Sequence, residues 1–149
     1  GILTALEQVA SRVPLVFPIH PRTQQRLEQF DLLTRLQSAP GMHLCESVSY
    51  LDMLALQASA RLVLVDSGGI QEETTALGVP CVTLRHNTER PVTVDEGTNT
   101  LVGNVPERIV QVATQILDDG GKAGRIPEGW DGHASERIVD VLRQGIVRR

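Results

Sequence analysis

The chain has 149 residues, with 14 Lys plus Arg against 18 Asp plus Glu, a net charge of −4. That length suits one compact domain, and the acidic balance argues against nonspecific nucleic-acid binding. Hydrophobic content of 41% with 21% charged residues marks a globular chain, and aromatics at 3% require an aliphatic core.

No apolar run reaches the roughly 18 residues of a membrane span, and no secretory leader pattern is visible. A cytoplasmic location is expected. Cys45 and Cys81 are too few for a disulfide framework. Each stands in an apolar run, so both are predicted to be buried free thiols.

Apolar periodicity predicts helix, strand, helix, strand along most of the chain. Ile2, Leu6 and Val9 mark a helix over 2–12. A continuous apolar strand follows over 14–19. Leu27, Phe30, Leu33 and Leu36 mark a helix over 23–37, and residues 42–45 a second strand. Leu51, Leu54 and Ala58 mark a helix over 50–59. A strand over 61–65 leads into a short helix over 69–77, and a strand over 80–84 comes next. Residues 100–102 read as a weaker strand. Pro106 and Glu107 suit the first turn of a helix over 106–118. A Gly-rich loop over 118–132 leads to a last helix over 134–147, with Ile138, Val141, Leu142 and Ile146 on one face. Strands without polar alternation are those buried on both faces. The fold class is α/β: a Rossmann-like parallel sheet with helices on both faces.

In such sheets ligands bind at the carboxyl ends of the strands. The best junction is Val65-Asp66-Ser67-Gly68-Gly69-Ile70-Gln71-Glu72-Glu73. Two glycines permit close backbone approach, and helix N-terminal N–H groups with a Ser67 hydroxyl suit a phosphate. A plain tight turn capped by Ser67 explains the same glycines. Glu72 and Glu73 favour the helix dipole, but a carboxylate one turn past a phosphate loop also suits ribose hydroxyls. At the next strand end, Arg85 and Arg90 could pair with a diphosphate, or with Glu89 or Asp95 at the surface. His86 reads as a solvated loop residue. At the end of the strand over 14–19, His20 and Arg22 suit ligand contact, though His20 could equally cap the next helix. His43 and His133 lack partners at metal-ligand spacing, and no metal or cofactor is expected. The Gly-x-Gly-x-x-Gly fingerprint of nicotinamide enzymes is absent.

Several stretches together carry a family resemblance. They are Asp66-Ser67-Gly68-Gly69-Ile70-Gln71-Glu72-Glu73, Leu77-Gly78-Val79-Pro80, Thr88-Glu89-Arg90-Pro91, Glu96-Gly97-Thr98-Asn99 and Leu101-Val102-Gly103. Pro18-Ile19-His20-Pro21-Arg22-Thr23 and Gly132-His133-Ala134-Ser135-Glu136-Arg137-Ile138 agree with them. In order and spacing the chain resembles the non-hydrolysing UDP-N-acetylglucosamine 2-epimerases over nearly its whole length. It departs at Ser47, where the family usually has proline, and at Val92, where it usually has glutamate. A carboxyl-terminal glycosyltransferase half shares the phosphate loop and glutamate. The Gln71-Glu72-Glu73 and Thr88–Pro91 stretches favour the epimerase.

The resemblance implies two Rossmann-like domains across a cleft, the glycosyltransferase-B arrangement, of which residues 1–149 form the second as a single nucleotide-sugar-binding domain. It implies interconversion of UDP-GlcNAc and UDP-ManNAc, through elimination of UDP to a 2-acetamidoglucal and its re-addition. By the same resemblance, Ser67, Gly68 and Gly69 hold the diphosphate, Glu73 the ribose hydroxyls, and Arg90 assists the phosphates. His20 would line the cleft, and Ser47–Tyr50 would lie near the uracil.

The family's proton-transfer carboxylates belong to the first domain, so the isolated chain is expected to be inactive. A truncated UDP-sugar-binding or association module is the alternative. Expected partners are UDP or UDP-GlcNAc, an amino-terminal epimerase domain on another chain, and a further copy in a homo-oligomer. The family's preceding strand is also outside this sequence. It would leave a gap between the strands over 14–19 and 61–65, and unpaired central backbone is costly. Either direct closure of the sheet or a strand from another chain is expected.

Overall fold

A computed structural model describes residues 1–147, with the side chains of Ile146 and Val147 outside the described set. Its strands are β1 (Leu15–Ile19), β2 (Met42–Glu46), β3 (Val63–Val65), β4 (Cys81–Thr83) and β5 (Asn99–Leu101). Its helices are α1 (Ile2–Ala10), α2 (Pro21–Gln29), α3 (Leu33–Gln37), α4 (Tyr50–Ser59), α5 (Gly68–Leu77), α6 (Pro91–Asp95), α7 (Pro106–Asp119) and α8 (Ala134–Val147). Among the described residues no helix is long and apolar enough to cross a membrane.

Every strand pairing is parallel, but the strands form two sheets, β1-β2 and β3-β4-β5. No ladder joins β1 to β3, so of the two expected arrangements direct closure of the sheet does not occur among the described residues. Helix α1 spans the division. Its Ala5 packs with Val82, Ile109, Val112 and Ile116, while its Leu6 and Ala10 pack with Ile19, Leu27, Leu36 and Met42. Leu64 of β3 touches both clusters. Arg12, just past α1, pairs with Asp118 of α7 at 2.8 Å. Gly41 is obligatory in this packing. Its φ is +76°, and a Cβ there would lie 2.0 Å from the Ala10 carbonyl oxygen.

Several sequence expectations are corrected. The helix predicted over 23–37 is broken into α2 and α3. Asp31 adopts φ 54°, Leu32 N–H donates to Leu27 C=O at 2.8 Å, and Asp31 N–H donates to Glu28 C=O at 3.1 Å. This left-handed stop ends α2 and turns Leu32 onto Leu27 in the core. Phe30, expected on the apolar face, falls in the break and is 61% exposed.

The faces of α4 and of β1-β2 also differ from the pattern. Leu51 and Ala58 are exposed, whereas Gln57 is buried. Strand β1 alternates: Leu15, Phe17 and Ile19 pack inward, while Val16 is exposed. Val16 and Cys45 line an open groove with Val48, Ala55 and Leu56. Cys45 is therefore exposed, contrary to expectation, and Cys81 is buried.

Candidate functional site

Strand β3 ends at Val65, and α5 begins three residues later at Gly68. Ser67 is the N-cap residue of α5 in extended conformation, but its side chain makes no capping hydrogen bond. The plain-cap reading of Ser67 therefore does not describe this turn. Ser67 is exposed and stands beside the first N–H groups of the helix, which have no intrahelical partner. A Cβ built on Gly69 would meet nothing within 4 Å. The turn thus offers open space, backbone donors and the positive end of a ten-residue helix.

Arg90 comes to the same turn from a different part of the chain. A Cβ on Gly68 would sit 3.8 Å from Arg90 Cγ. Arg90 Nε pairs with Glu72 Oε1 at 2.9 Å. Glu72 therefore orients a guanidinium at the mouth of the turn. Arg85 does otherwise: both its Nη atoms hydrogen-bond the Glu89 carboxylate, at 2.9 and 3.2 Å. That pair holds the Glu89 carboxyl below its ordinary pKa. For Arg85 the surface-pair reading is the one the structure favours.

Glu73 lies on α5 one turn beyond the glycines. Its Oε2 accepts a hydrogen bond from Gln57 Nε2 at 2.7 Å. Gln57 is 3% exposed and its Oε1 has no partner. Sequence reasoning missed Gln57, because a polar residue inside an apolar-spaced helix carries no periodic signal.

Behind the turn lies a buried polar cluster, also missed. Gln71 Oε1 accepts from Thr88 Oγ1 at 2.6 Å and from Asn99 Nδ2 at 3.0 Å. Gln71 Nε2 donates to the Ser67 carbonyl at 3.2 Å. Asn99 Nδ2 also donates to Thr93 Oγ1 at 3.0 Å, and Asn99 Oδ1 accepts from Thr83 Oγ1 at 2.7 Å. Gln71, Thr83, Thr93 and Asn99 are each at most 1% exposed. Gln71, Thr88 and Asn99 stand inside the sequence stretches that carry the resemblance. Their signal was polarity at positions where α5 and β5 face the core.

His20, at the end of β1, is the N-cap of α2, and its Nδ1 accepts the Arg22 N–H at 3.2 Å. This is the helix-capping geometry anticipated as the simpler alternative. In the neutral ring the proton then sits on Nε2, leaving one donor for other contacts. Ser47 Oγ donates to the Ile19 carbonyl at 3.0 Å and ties the ends of β1 and β2 together. His86 contacts Asn104 Oδ1 through Nε2 at 3.2 Å in an exposed loop.

Comparisons with known proteins address the family and the fold. The profile of the UDP-N-acetylglucosamine 2-epimerase family matches residues 1–143. A UDP-N-acetylglucosamine 2-epimerase of Methanocaldococcus jannaschii is 45% identical over 131 residues, 88% of this chain and 35% of that protein. The crystal structure of the Methanocaldococcus jannaschii enzyme in complex with UDP-GlcNAc and UDP superposes with a TM-score of 0.81 at 40% identity, covering 96% of this chain and 40% of that one. The UDP-GlcNAc-bound enzyme of Neisseria meningitidis superposes with a TM-score of 0.81 at 35% identity, over the same shares of the two chains. The chain thus spans about two-fifths of the length of the solved enzymes it matches. It belongs to the UDP-N-acetylglucosamine 2-epimerase family.

Proposed function

We propose that this chain is the UDP-binding half of a UDP-N-acetylglucosamine 2-epimerase and has no epimerase activity by itself. One observation carries the reading. The open α5 turn, the uncommitted Ser67 hydroxyl and the Glu72-held Arg90 converge at one strand end, with Glu73 one turn along the same helix.

In this reading Ser67 and the Gly68 and Gly69 N–H groups bind the diphosphate. Arg90 adds positive charge where the C1–O bond to UDP breaks. Glu73 accepts hydrogen bonds from the ribose hydroxyls. His20 contributes its Nε2 donor to the cleft. In the elimination a base takes the C2 proton as UDP leaves C1 with the bonding pair, giving the 2-acetamidoglucal. Re-addition of UDP to C1, with protonation of C2 from the other face, gives the epimer. The groups that move the proton come from the family's amino-terminal domain. Half a cleft buries half a ligand, so UDP affinity is about millimolar to high micromolar.

The test is addition of UDP-GlcNAc to the purified chain, with product sugars resolved by chromatography. No UDP-ManNAc is expected from the chain alone. Its formation would show that the absent carboxylates are not essential.

A second reading, association, is favoured by α8. Ile138, Val141 and Leu142 are 59%, 68% and 57% exposed on this helix, and the side chain of Ile146, expected on the same face, lies outside those described. An exposed apolar stripe marks a contact surface. The amino-terminal domain or a second copy would cover it. Sedimentation showing a concentration-independent monomer removes self-association.

A further inference from the structure

We infer that Gln71 and Thr88 are positioning residues that lock the Ser67 turn and Arg90 into one rigid phosphate-binding unit. The inference rests on the proposed UDP site and adds residues that do not themselves face the ligand.

The hydrogen bonds run from the buried Gln71, Thr93 and Asn99 out to the half-buried Thr88 and the exposed Arg90, and close into a ring. Thr88 Oγ1 donates to Gln71 Oε1 at 2.6 Å and accepts the Arg90 N–H at 2.9 Å. Thr93 Oγ1 donates to the Arg90 carbonyl at 2.7 Å and accepts from Asn99 Nδ2 at 3.0 Å. Asn99 Nδ2 returns to Gln71 Oε1 at 3.0 Å. Both backbone polar groups of Arg90 are thereby held, on its two sides, by two threonine hydroxyls. Gln71 Nε2 extends the ring to the Ser67 carbonyl at 3.2 Å.

The direction of each bond is forced. The Arg90 N–H can only donate, so Thr88 Oγ1 accepts it and spends its own proton on Gln71. The Ser67 carbonyl can only accept, so the Gln71 amide nitrogen faces it and the amide oxygen faces Thr88. Both constraints select the same amide orientation. Buried networks whose members are all satisfied hold one geometry, since any displacement leaves a group unpaired away from water. Glu72 then fixes the Arg90 side chain from α5 itself. Backbone and guanidinium are therefore referenced to the helix whose N-terminus forms the turn.

Thr88→Val removes the hydroxyl at nearly constant shape, and Thr88→Ser keeps it. The first readout needs no ligand. In amide NMR of the free chain, Thr88→Val should speed hydrogen exchange of the Arg90 amide at least about tenfold. It should also shift Gly68 and Gly69, which are remote in sequence, while Thr88→Ser leaves these signals near wild type. In titrations, Thr88→Val should weaken UDP and pyrophosphate by about fivefold each and leave uridine unchanged, with Thr88→Ser restoring wild-type binding. A general loss of stability would weaken uridine as well. Unchanged Arg90, Gly68 and Gly69 signals in Thr88→Val would overturn the inference. A wild-type chain that binds no UDP would overturn the proposed function, while the ligand-free signals still decide whether the ring exists.

Discussion

Gln57 and Glu73 are joined across the α4–α5 contact by a 2.7 Å hydrogen bond from the amide nitrogen to the carboxylate. The amide is almost fully buried and the carboxylate half-buried. An α4 residue thus sets the rotamer of the acid assigned to the ribose. Gln57→Leu keeps the volume and removes the donor. UDP should bind about threefold to fivefold more weakly, as expected for one charge-assisted hydrogen bond at a partly exposed site. Pyrophosphate should bind as to wild type. Calorimetric titration of both ligands checks this, and equal losses for both would contradict the assignment.

Glu73→Ala removes the acid itself. UDP affinity should fall at least about tenfold, since two hydrogen bonds to a charged group are lost. Pyrophosphate, which lacks ribose, should be little affected. Equal sensitivity of the two ligands would move Glu73 out of the ribose site.

Asn99, like Gln71, makes three side-chain hydrogen bonds in the cluster, to Gln71, Thr93 and Thr83. Asn99→Leu would take the acceptor from the buried Thr83 hydroxyl and one donor each from Thr93 Oγ1 and Gln71 Oε1. The expected loss of stability is about 2–4 kcal/mol. Urea denaturation measures it, and a loss below about 1 kcal/mol would mean that water replaces Asn99.

The two cysteines should react differently. Burial pushes the Cys81 thiol above its ordinary pKa, and Cys45 is exposed. Iodoacetamide at mildly alkaline pH should modify Cys45 alone in the native chain, and both residues in denaturant. Mass spectrometry of tryptic peptides reads this directly. Labelling of native Cys81 would show that the β4 core opens.

Arg35 grips Glu7 through Nε and Nη2, each at 2.6 Å, and holds that carboxyl below its ordinary pKa. A depressed folded pKa stabilises above the unfolded value and is lost as pH falls through the folded one. Glu7→Gln should therefore lower the denaturation midpoint near neutral pH. The two midpoints should converge once pH drops below the carboxylate range. A constant gap at all pH values would mean that packing, not charge, carries the effect.

Much of this architecture was legible before coordinates. Continuous apolar runs located every strand, most clearly β4, which is central in its sheet and buried along its length. The phosphate turn was legible because glycines, a serine and paired glutamates follow a strand at a fixed offset. The break at Asp31 was not: the spacing of Leu27, Leu33 and Leu36 satisfies a helix, and only the left-handed residue and the Leu32 bond to Leu27 reveal the stop. The exposure of Cys45 was hidden too, since an apolar run does not say that β2 leaves one face open. Gln57 and the Gln71–Asn99 ring follow from tertiary packing, and period alone cannot supply polar partners from different elements.

The most direct test of the account is titration of UDP into the isolated chain, followed by backbone amide NMR. The account predicts shifts centred on Ser67–Glu73 and Arg90, saturating at about millimolar UDP. No shift at those residues at millimolar UDP would contradict it, and would leave the exposed face of α8 as the surface on which the chain acts.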